Sequence, residues 1–219
     1  EGSVGIGHRR LAIIDLSAAG HQPMVSLDGR YVLSYNGEVY NFMELRDELE
    51  KEGCSFRSKT DSEVVLNALV CWGMKALNRF NGMFALALWD RQEKKLFLAR
   101  DRYGIKPLYY SMQKGVFSFG SEQKAIFART GFERSLNKAT LLEYFTFQNI
   151  FTDGTLVEGI HLLPPGHYAT LATAADKPEL LRSQYWDFSF KGPEQKVDEK
   201  EYLEELERLF KQAVKRQLV

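Results

Sequence analysis

Cysteine and histidine are scarce in this sequence, which has two cysteines and four histidines among 219 residues. Neither cysteine belongs to a Cys-x-x-Cys pair, and the histidines lack the spacing of metal ligands, so we expect no bound metal ion. The two cysteines, Cys54 and Cys71, are also too few for a disulfide framework and fit a reducing compartment. We expect both to be buried thiols.

An excess of charge and long apolar runs are absent as well. Lys and Arg together number 29, and so do Asp and Glu, so the composition predicts neither a nucleic-acid partner nor a membrane surface. No apolar run is long enough to cross a bilayer, and the opening residues EGSVGIGHRR lack a signal-peptide pattern. We therefore expect a cytoplasmic protein, long enough for one large or two small domains.

The most informative stretch is Tyr31–Arg46, YVLSYNGEVYNFMELR. It predicts a strand at Tyr31–Leu33, a tight turn at Asn36-Gly37 and a helix that begins after Asn41. Asn-Gly is a strong turn signal because both residues tolerate positive φ. Glu38 follows directly, so a side-chain amide, a backbone N–H and a carboxylate would stand together at this turn. Such a set can hold a small zwitterion and an oxyanion, although an ordinary loop has the same local pattern.

Apolar patterns predict several antiparallel strands. The first, Val4–Asp15, is expected to be buried on both faces, with His8, Arg9 and Arg10 near its start. Met24–Ser34 is expected to form a hairpin around Asp28-Gly29. Further strands are predicted within Phe80–Asp90, Lys95–Asp101 and Gly115–Gly120, after the Pro-Pro-Gly turn at 164–166, and at Tyr185–Asp187.

Helical periodicity is found at Phe42–Lys51, which Gly53 would end, and at Glu63–Trp72. Thr60 and Glu63 have the spacing of a capping box, which places Asp61 in the first helical turn, where the helix dipole favours a carboxylate. Shorter helices are predicted at 122–128 and 138–145, and a polar linker at 190–197. Asp198 would cap a final amphipathic helix. Its pattern continues to the last residue, which we interpret as a sign of a longer protein.

Several of these stretches occur in an order that resembles one known family. They are GHRRLAIIDLS, GHQPM, YNGEVYNF, KTDSEV, NGMFALALWD, LARDRYGIKPLYY, FGSEQKAI and LPPGHY. Together they closely resemble the glutaminase domain of glutamine-hydrolysing asparagine synthetases, a class II glutamine amidotransferase of the N-terminal-nucleophile hydrolase superfamily. The resemblance extends from Val4 to Asp187.

The resemblance implies an α+β fold, a four-layer αββα sandwich with two stacked antiparallel sheets, here truncated at the N-terminus. The apolar central strands need cover on both faces, and the amphipathic helices can supply it. The glutaminase domain would span residues 1–190 and a linker residues 191–197. Residues 198–219 would then be the first helix of a synthetase domain, whose ATP-binding loop is absent from the sequence.

By the same resemblance, the domain binds L-glutamine and hydrolyses its side-chain amide. The Asn36 side chain and the Gly37 N–H would form the oxyanion hole, and Arg10 would pair with the α-carboxylate. Glu38 and Asp61 would hold the α-ammonium group. The same pocket would be lined by the backbone of Leu11, Ala12, Ile13 and Ile14. Local pattern alone favours a surface charge for Arg10 and a helix-dipole partner for Asp61.

Enzymes of this family attack with the thiolate of an N-terminal cysteine, whose own α-amine is the general base. That cysteine is missing from the sequence, so we expect no glutaminase activity from these residues alone and a longer natural protein. The implied partners are L-glutamine and a synthetase domain of the same chain, which would need ATP and Mg. The glutaminase domain would need no cofactor, and a homodimer is left open.

Two other functions are left open, a glutamine-binding scaffold without a nucleophile and an amidotransferase for another carboxylate, such as a sugar acid. The charged residues Arg100, Asp101, Arg102 and Lys106 have the pattern of a salt-bridged turn between strands. By resemblance, they and residues 121–124 lie toward the synthetase domain, as interface or ammonia-channel candidates. We expect structural roles for His8, His21 and His167.

Overall fold

The computed structural model describes residues 4–10, 18–173, 178–190, 192 and 198–218. The larger sheet is antiparallel and has six strands, in spatial order β1 (Met24–Val25), β2 (Tyr31–Val39), β3 (Gly82–Asp90), β4 (Lys95–Arg100), β8 (His167–Ala172) and β9 (Leu180–Gln184). The smaller antiparallel sheet has the order β6 (Val116–Gly120), β5 (Tyr109–Gln113) and β7 (His161–Leu162). The α-helices are α1 (Phe42–Lys51), α2 (Asp61–Trp72), α3 (Gln123–Phe127), α4 (Lys138–Phe147) and α5 (Glu199–Gln217).

The central strand β3 is buried on both faces, which explains its continuous apolar sequence. Phe84, Leu86 and Leu88 pack with α1 and α2 in one core. The alternate residues, which include Ala85 and Trp89, pack in a second core between the two sheets. On the far side, α3 contacts β5 and β6 of the smaller sheet. The predicted α+β fold, with two stacked antiparallel sheets and helices outside them, is confirmed.

Asn36 and Gly37 do not form the predicted turn. They lie inside β2, where Asn36 is opposite Ala85 and Gly37 is opposite Phe84 of β3. A Cβ on Gly37 would lie 2.7 Å from the Cα of Phe84, and closer still to the Met83 carbonyl oxygen. The glycine is therefore required for the close approach of two strands, not for a positive φ.

The predicted helices are present, with different details at the start of α2. The Thr60 side chain accepts a hydrogen bond from the Glu63 N–H at 3.2 Å. The Glu63 carboxylate does not complete the capping box, because it accepts instead from the N–H groups of Arg57 and Ser58. This carboxylate fixes the turn before the helix, and α2 begins at Asp61 rather than at Glu63.

Several other predictions differ from the structure. Residues 4–10 form no strand, and the rest of the predicted first strand lies outside the described residues. The predicted strand at Tyr185–Asp187 is absent, because the last strand ends at Gln184 and these residues follow it.

The predicted hairpin is present, because Met24 pairs with Leu33. In the described part of the chain, no helix is long and apolar enough to span a membrane.

The prediction of two buried thiols is wrong. Cys71 is exposed and Cys54 is partly exposed. Cys54 follows the end of α1, and Cys71 lies in the last turn of α2. Both are therefore at the same end of this helix pair, where the larger sheet does not cover them.

Candidate functional site

One cavity brings together the described members of the predicted site. It has a volume of about 540 Å³, and residues from both sheets line it. The predicted site residues on its wall are Arg10, Asn36, Gly37, Glu38 and Asp61. The remaining predicted residues, Leu11, Ala12, Ile13 and Ile14, lie outside the described residues.

Small side chains on β3 leave room for this cavity between the sheets. Ala85 lies opposite Asn36, and Ala87 lies opposite Ser34. Both alanines face the smaller sheet, as does Trp89 at the other end of β3. The bulky residue fills the intersheet space at its end, whereas the two alanines leave space unfilled at the Asn36 end. The order of side-chain sizes along one strand thus sets the position of the cavity.

On the side of β2 that faces away from β3, the two residues of β1 pair only with Val32 and Leu33. The sheet therefore leaves the backbone groups on this side of the later residues of β2 unpaired. At Tyr35, the side chain of Gln22 takes the place of a strand. Its Oε1 accepts from the Tyr35 N–H at 2.7 Å, and its Nε2 donates to the Tyr35 carbonyl at 2.9 Å. At Val39, the N–H donates to Oδ2 of Asp61 at 3.2 Å.

The N–H of Gly37 lies between these two positions on the same edge. Alternate residues of a strand direct their amides to the same side, so this N–H points away from β3. Phe84, opposite Gly37, forms its backbone hydrogen bonds with Asp101, on the side away from Gly37. Its carbonyl accepts from the Asp101 N–H, and its N–H donates to the Asp101 carboxylate. None of the hydrogen bonds found in the described residues uses the Gly37 N–H. The edge of β2 therefore offers one backbone donor to the cavity.

The side chain of Asn36 lies beside this donor and contacts the smaller sheet. Its Nδ2 donates to the Oγ of Ser121, 3.3 Å away, and Ser121 follows directly after β6. In this orientation the amide nitrogen faces Ser121, and its second N–H is left for a ligand. Asn36 and Gly37 thus supply two neighbouring donors of the kind that stabilise a developing oxyanion.

Asp61 is a buried carboxylate, only 5% exposed, at the start of α2. Its Oδ2 accepts from the Tyr35 hydroxyl at 2.8 Å, in addition to the Val39 N–H. Burial raises the pKa of Asp61 above the usual value, and the hydrogen bonds from Tyr35 and Val39 oppose that rise. A desolvated carboxylate gains more from a cation than an exposed one does. Together with Glu38 on the same wall, Asp61 makes this part of the cavity suited to an ammonium group.

The guanidinium of Arg10 packs against Gly20. A Cβ on Gly20 would lie 2.7 Å from the Arg10 Cζ, closer than real side chains come. The absent side chain therefore leaves the space that the guanidinium occupies. Nearby, the Nδ1 of His8 lies 3.0 Å from the Oγ of Ser34, and the pKa of His8 is lowered by burial and then by the charge of Arg10. The cavity wall thus carries the cation of Arg10 as well as the carboxylates of Glu38 and Asp61.

The segment 100–106 is not the salt-bridged turn that its charges predicted. The Arg100 guanidinium donates to three carbonyl oxygens, those of Gly104, Lys106 and Leu163. The fully buried Asp101 carboxylate accepts from four backbone N–H groups, those of Phe84, Tyr103, Ile105 and Lys106. Backbone groups satisfy both charges, and most of these groups belong to the loop itself. The two side chains therefore fix the loop, which places Lys106 on the cavity wall.

Some cavity residues were not predicted as part of the site. Lys106, Ser121, Glu122 and Lys124, which we expected only toward an interface or channel, line the same cavity as Asn36, and so does Gln22. No local pattern places them there, because only the packing of the smaller sheet over β2 brings them close. Among the described residues, no group of three or more His, Cys, Asp or Glu side chains is placed to hold a metal ion.

The family model and the curated relatives that match this chain agree with each other. The model of a glutamine amidotransferase domain family matches residues 1–186. The asparagine synthetase [glutamine-hydrolyzing] 3 of Bacillus subtilis is 36% identical over an alignment of 222 residues, which covers 100% of this chain and 35% of that protein. A putative asparagine synthetase of Mycobacterium bovis is 38% identical over 189 residues, 83% of this chain and 29% of that protein. The chain thus spans about a third of the length of these curated relatives.

Solved structures show the same fold at lower sequence identity. The glutamine phosphoribosylpyrophosphate amidotransferase of Bacillus subtilis, complexed with ADP and GMP, aligns with a TM-score of 0.56 and 18% identity, over 82% of this chain and 34% of that one. A structure described as the allosteric regulatory enzyme of purine biosynthesis aligns with a TM-score of 0.53 and 18% identity, over 75% of this chain and 31% of that one. At this identity, the likeness concerns the arrangement of sheets and helices alone.

Proposed function

The chain belongs to the glutamine amidotransferase domain family, and we propose that its cavity binds free L-glutamine for hydrolysis of the side-chain amide. One observation carries this proposal. Arg10, Glu38 and Asp61 surround the same cavity as the donors Asn36 and Gly37. A free amino acid needs one cation and at least one anion for its two charged ends, and a reacting amide needs donors for its oxygen.

In the proposed complex, the α-carboxylate of glutamine pairs with the Arg10 guanidinium, whose planar fork suits bidentate binding. The α-ammonium group lies against Glu38 and Asp61, where it offsets the desolvation that raises the pKa of Asp61. The side-chain carbonyl oxygen then lies against the Asn36 amide and the Gly37 N–H. The Ser121 hydroxyl holds the Asn36 amide in the orientation that directs N–H toward that oxygen.

The attack itself is assigned to an N-terminal cysteine of the whole protein, as in the family that the sequence resembles. Its thiolate adds to the side-chain carbonyl, and the resulting oxyanion receives hydrogen bonds from Asn36 and Gly37. Collapse of this intermediate releases ammonia and leaves a thioester, which water hydrolyses to glutamate. Cys54 and Cys71 are not on the cavity wall, so neither is assigned this role.

For the whole protein, we propose an ATP- and Mg-dependent synthetase part that uses the ammonia to amidate aspartate. The support is that relatives carrying the name asparagine synthetase match most of this chain. No contact in the described residues identifies the acceptor. A panel of carboxylic acids supplied to the whole protein with glutamine and ATP tests this part separately, and amidation of a different acid would replace aspartate without affecting the glutamine site.

The glutaminase proposal is tested by glutamate release from the whole protein and from its Asn36→Ala variant. Removal of one oxyanion donor typically lowers kcat by about 10²–10³, so we expect that loss with a similar KM. The exposed Asn149 offers a matched control, and Asn149→Ala should leave kcat unchanged. If the kcat of Asn36→Ala were within a few-fold of that of the unmodified protein, this result would contradict the assignment of Asn36 to the oxyanion hole. Undiminished activity after replacement of the N-terminal cysteine by alanine would contradict the mechanism.

A further inference from the structure

The two cysteines of the chain face each other at one end of the α1–α2 pair. The Sγ of Cys54, in the loop after α1, lies 2.9 Å from the Sγ of Cys71, in the last turn of α2. A disulfide bond is about 2.05 Å long, so the two sulfurs are about 0.9 Å from bonding distance. The Cys54 N–H donates to the Leu49 carbonyl at 2.9 Å, which ties this loop residue to the end of α1.

Both thiols are accessible to a small oxidant. Cys71 is exposed and Cys54 is partly exposed. Cys54 packs against the edge of the larger core, and with Cys71 it forms a dithiol close to the surface. Neither cysteine lines the cavity of the proposed glutamine site.

We propose that Cys54 and Cys71 are a reversible redox pair, which closes to an intramolecular disulfide by exchange with a low-molecular-weight disulfide such as oxidised glutathione. The Cys54 thiolate attacks one sulfur of oxidised glutathione, forming a mixed disulfide and releasing one glutathione thiolate. Cys71 then loses its proton to solvent and attacks the Cys54 sulfur, which releases the second glutathione. The two cysteines lose two electrons and two protons in total, and the glutathione disulfide gains them.

The order of the two attacks follows from the surroundings of each thiol. Partial desolvation of the thiol, and then the hydrogen bond with Cys54, raises the pKa of Cys71 to about 12. Because the thiolate is the nucleophile, Cys71 is a poor first attacker and has the role of the resolving cysteine. Cys54 is therefore assigned the first attack, and the short distance between the sulfurs makes the second step intramolecular.

The disulfide would fasten the loop after α1 to the end of α2. Cross-linking residues 54–71 restricts the unfolded chain, so we expect the oxidised protein to unfold at a temperature higher by roughly 5–10 °C. Asp61 lies at the other end of α2, about 15 Å along the helix at 1.5 Å per residue. We therefore expect the affinity for glutamine to be the same in both redox states, which makes this proposal independent of the proposed function.

The test is to equilibrate the whole protein with oxidised glutathione, quench with acid, alkylate the free thiols and map the peptides by mass spectrometry. The expected product is a peptide pair joined by Cys54 and Cys71, with neither cysteine alkylated, and dithiothreitol should restore both thiols. Cys54→Ser and Cys71→Ser are the matched controls, since neither can form the disulfide between Cys54 and Cys71. Cys71→Ser should retain a glutathione adduct on Cys54, whereas Cys54→Ser should form little adduct on Cys71.

Two results would overturn the proposal. One is that both thiols of the unmodified protein remain open to alkylation in excess oxidised glutathione. The other is that a glutathione adduct persists on Cys54 of the unmodified protein, as it does on Cys71→Ser, because the second attack does not occur. Thermal unfolding of the oxidised and reduced protein gives an independent readout, and equal transition temperatures would contradict the predicted cross-link.

Discussion

Gly37→Ala is the substitution that tests the interpretation of β2 most sharply. The new Cβ would lie 2.7 Å from the Phe84 Cα and 2.8 Å from its Cβ, whereas ordinary contact begins near 3.4 Å. The strands would have to separate locally by at least about 0.7 Å to clear Phe84, and by more to clear the Met83 carbonyl oxygen, which strains the neighbouring hydrogen-bonded pairs of Asn36 with Ala85 and Glu38 with Met83. Overpacking costs about 1–3 kcal/mol, and each weakened hydrogen bond adds up to about 1 kcal/mol.

We therefore expect Gly37→Ala to lower the free energy of unfolding by roughly 2–4 kcal/mol and the unfolding temperature by about 4–16 °C. Differential scanning fluorimetry and urea unfolding measure both quantities. Gly5→Ala is the matched control, because a Cβ there has nothing within 4 Å, and its effect should stay within about 0.5 kcal/mol.

Gly37→Asn separates the two explanations for this glycine. Asn tolerates the positive φ of a turn, so it would be accepted if Gly37 occupied the turn that the sequence pattern predicts. In the middle of β2 its side chain meets the same atoms of Phe84, so Asn should destabilise at least as much as Ala. An unfolding temperature unchanged by either substitution would refute the close approach of β2 and β3.

Three further predictions concern Asp101, Asp61 and Gly20. Asp101→Asn should lower the free energy of urea unfolding by about 3–5 kcal/mol, because an amide nitrogen would face N–H donors that the carboxylate now binds. Asp61→Asn should keep or raise stability at pH 7, and its advantage should shrink toward acid pH. The reason is that the raised pKa of Asp61 favours folding only while the group is protonated, and this contribution is lost as pH rises through that pKa. The same variant should lose glutamine affinity in calorimetry. Gly20→Ala should raise KM for glutamine without a change in unfolding temperature, since its Cβ displaces only the flexible end of Arg10.

Much of the architecture follows from local sequence. The caps at Thr60 and Asp198 mark helix starts, and the apolar run of β3 marks a strand covered on both faces. The turn at Asn36-Gly37 is the instructive error. Its local signal is strong, but pairing with β3 gives each residue of β2 a partner, and this tertiary gain exceeds a turn preference.

The site was predictable only in part. The family resemblance identified the predicted residues on the cavity wall. The local sequence pattern alone explained each of them by an ordinary structural role. The contributions of Gln22, Lys106 and Ser121 depend on which loop of one sheet lies over which strand of the other, and sequence spacing carries no such information. The pairing of Cys54 with Cys71 has the same origin, because it depends on how α1 packs against α2.

The most direct test of the central claim is a crystal structure of the whole protein bound to glutamine, with its nucleophile replaced to prevent turnover. We predict glutamine in the cavity, its carboxylate on Arg10, its ammonium group between Glu38 and Asp61, and its side-chain oxygen within hydrogen-bonding distance of Asn36 and Gly37. Glutamine bound elsewhere, or bound here with its charged ends reversed, would contradict the account.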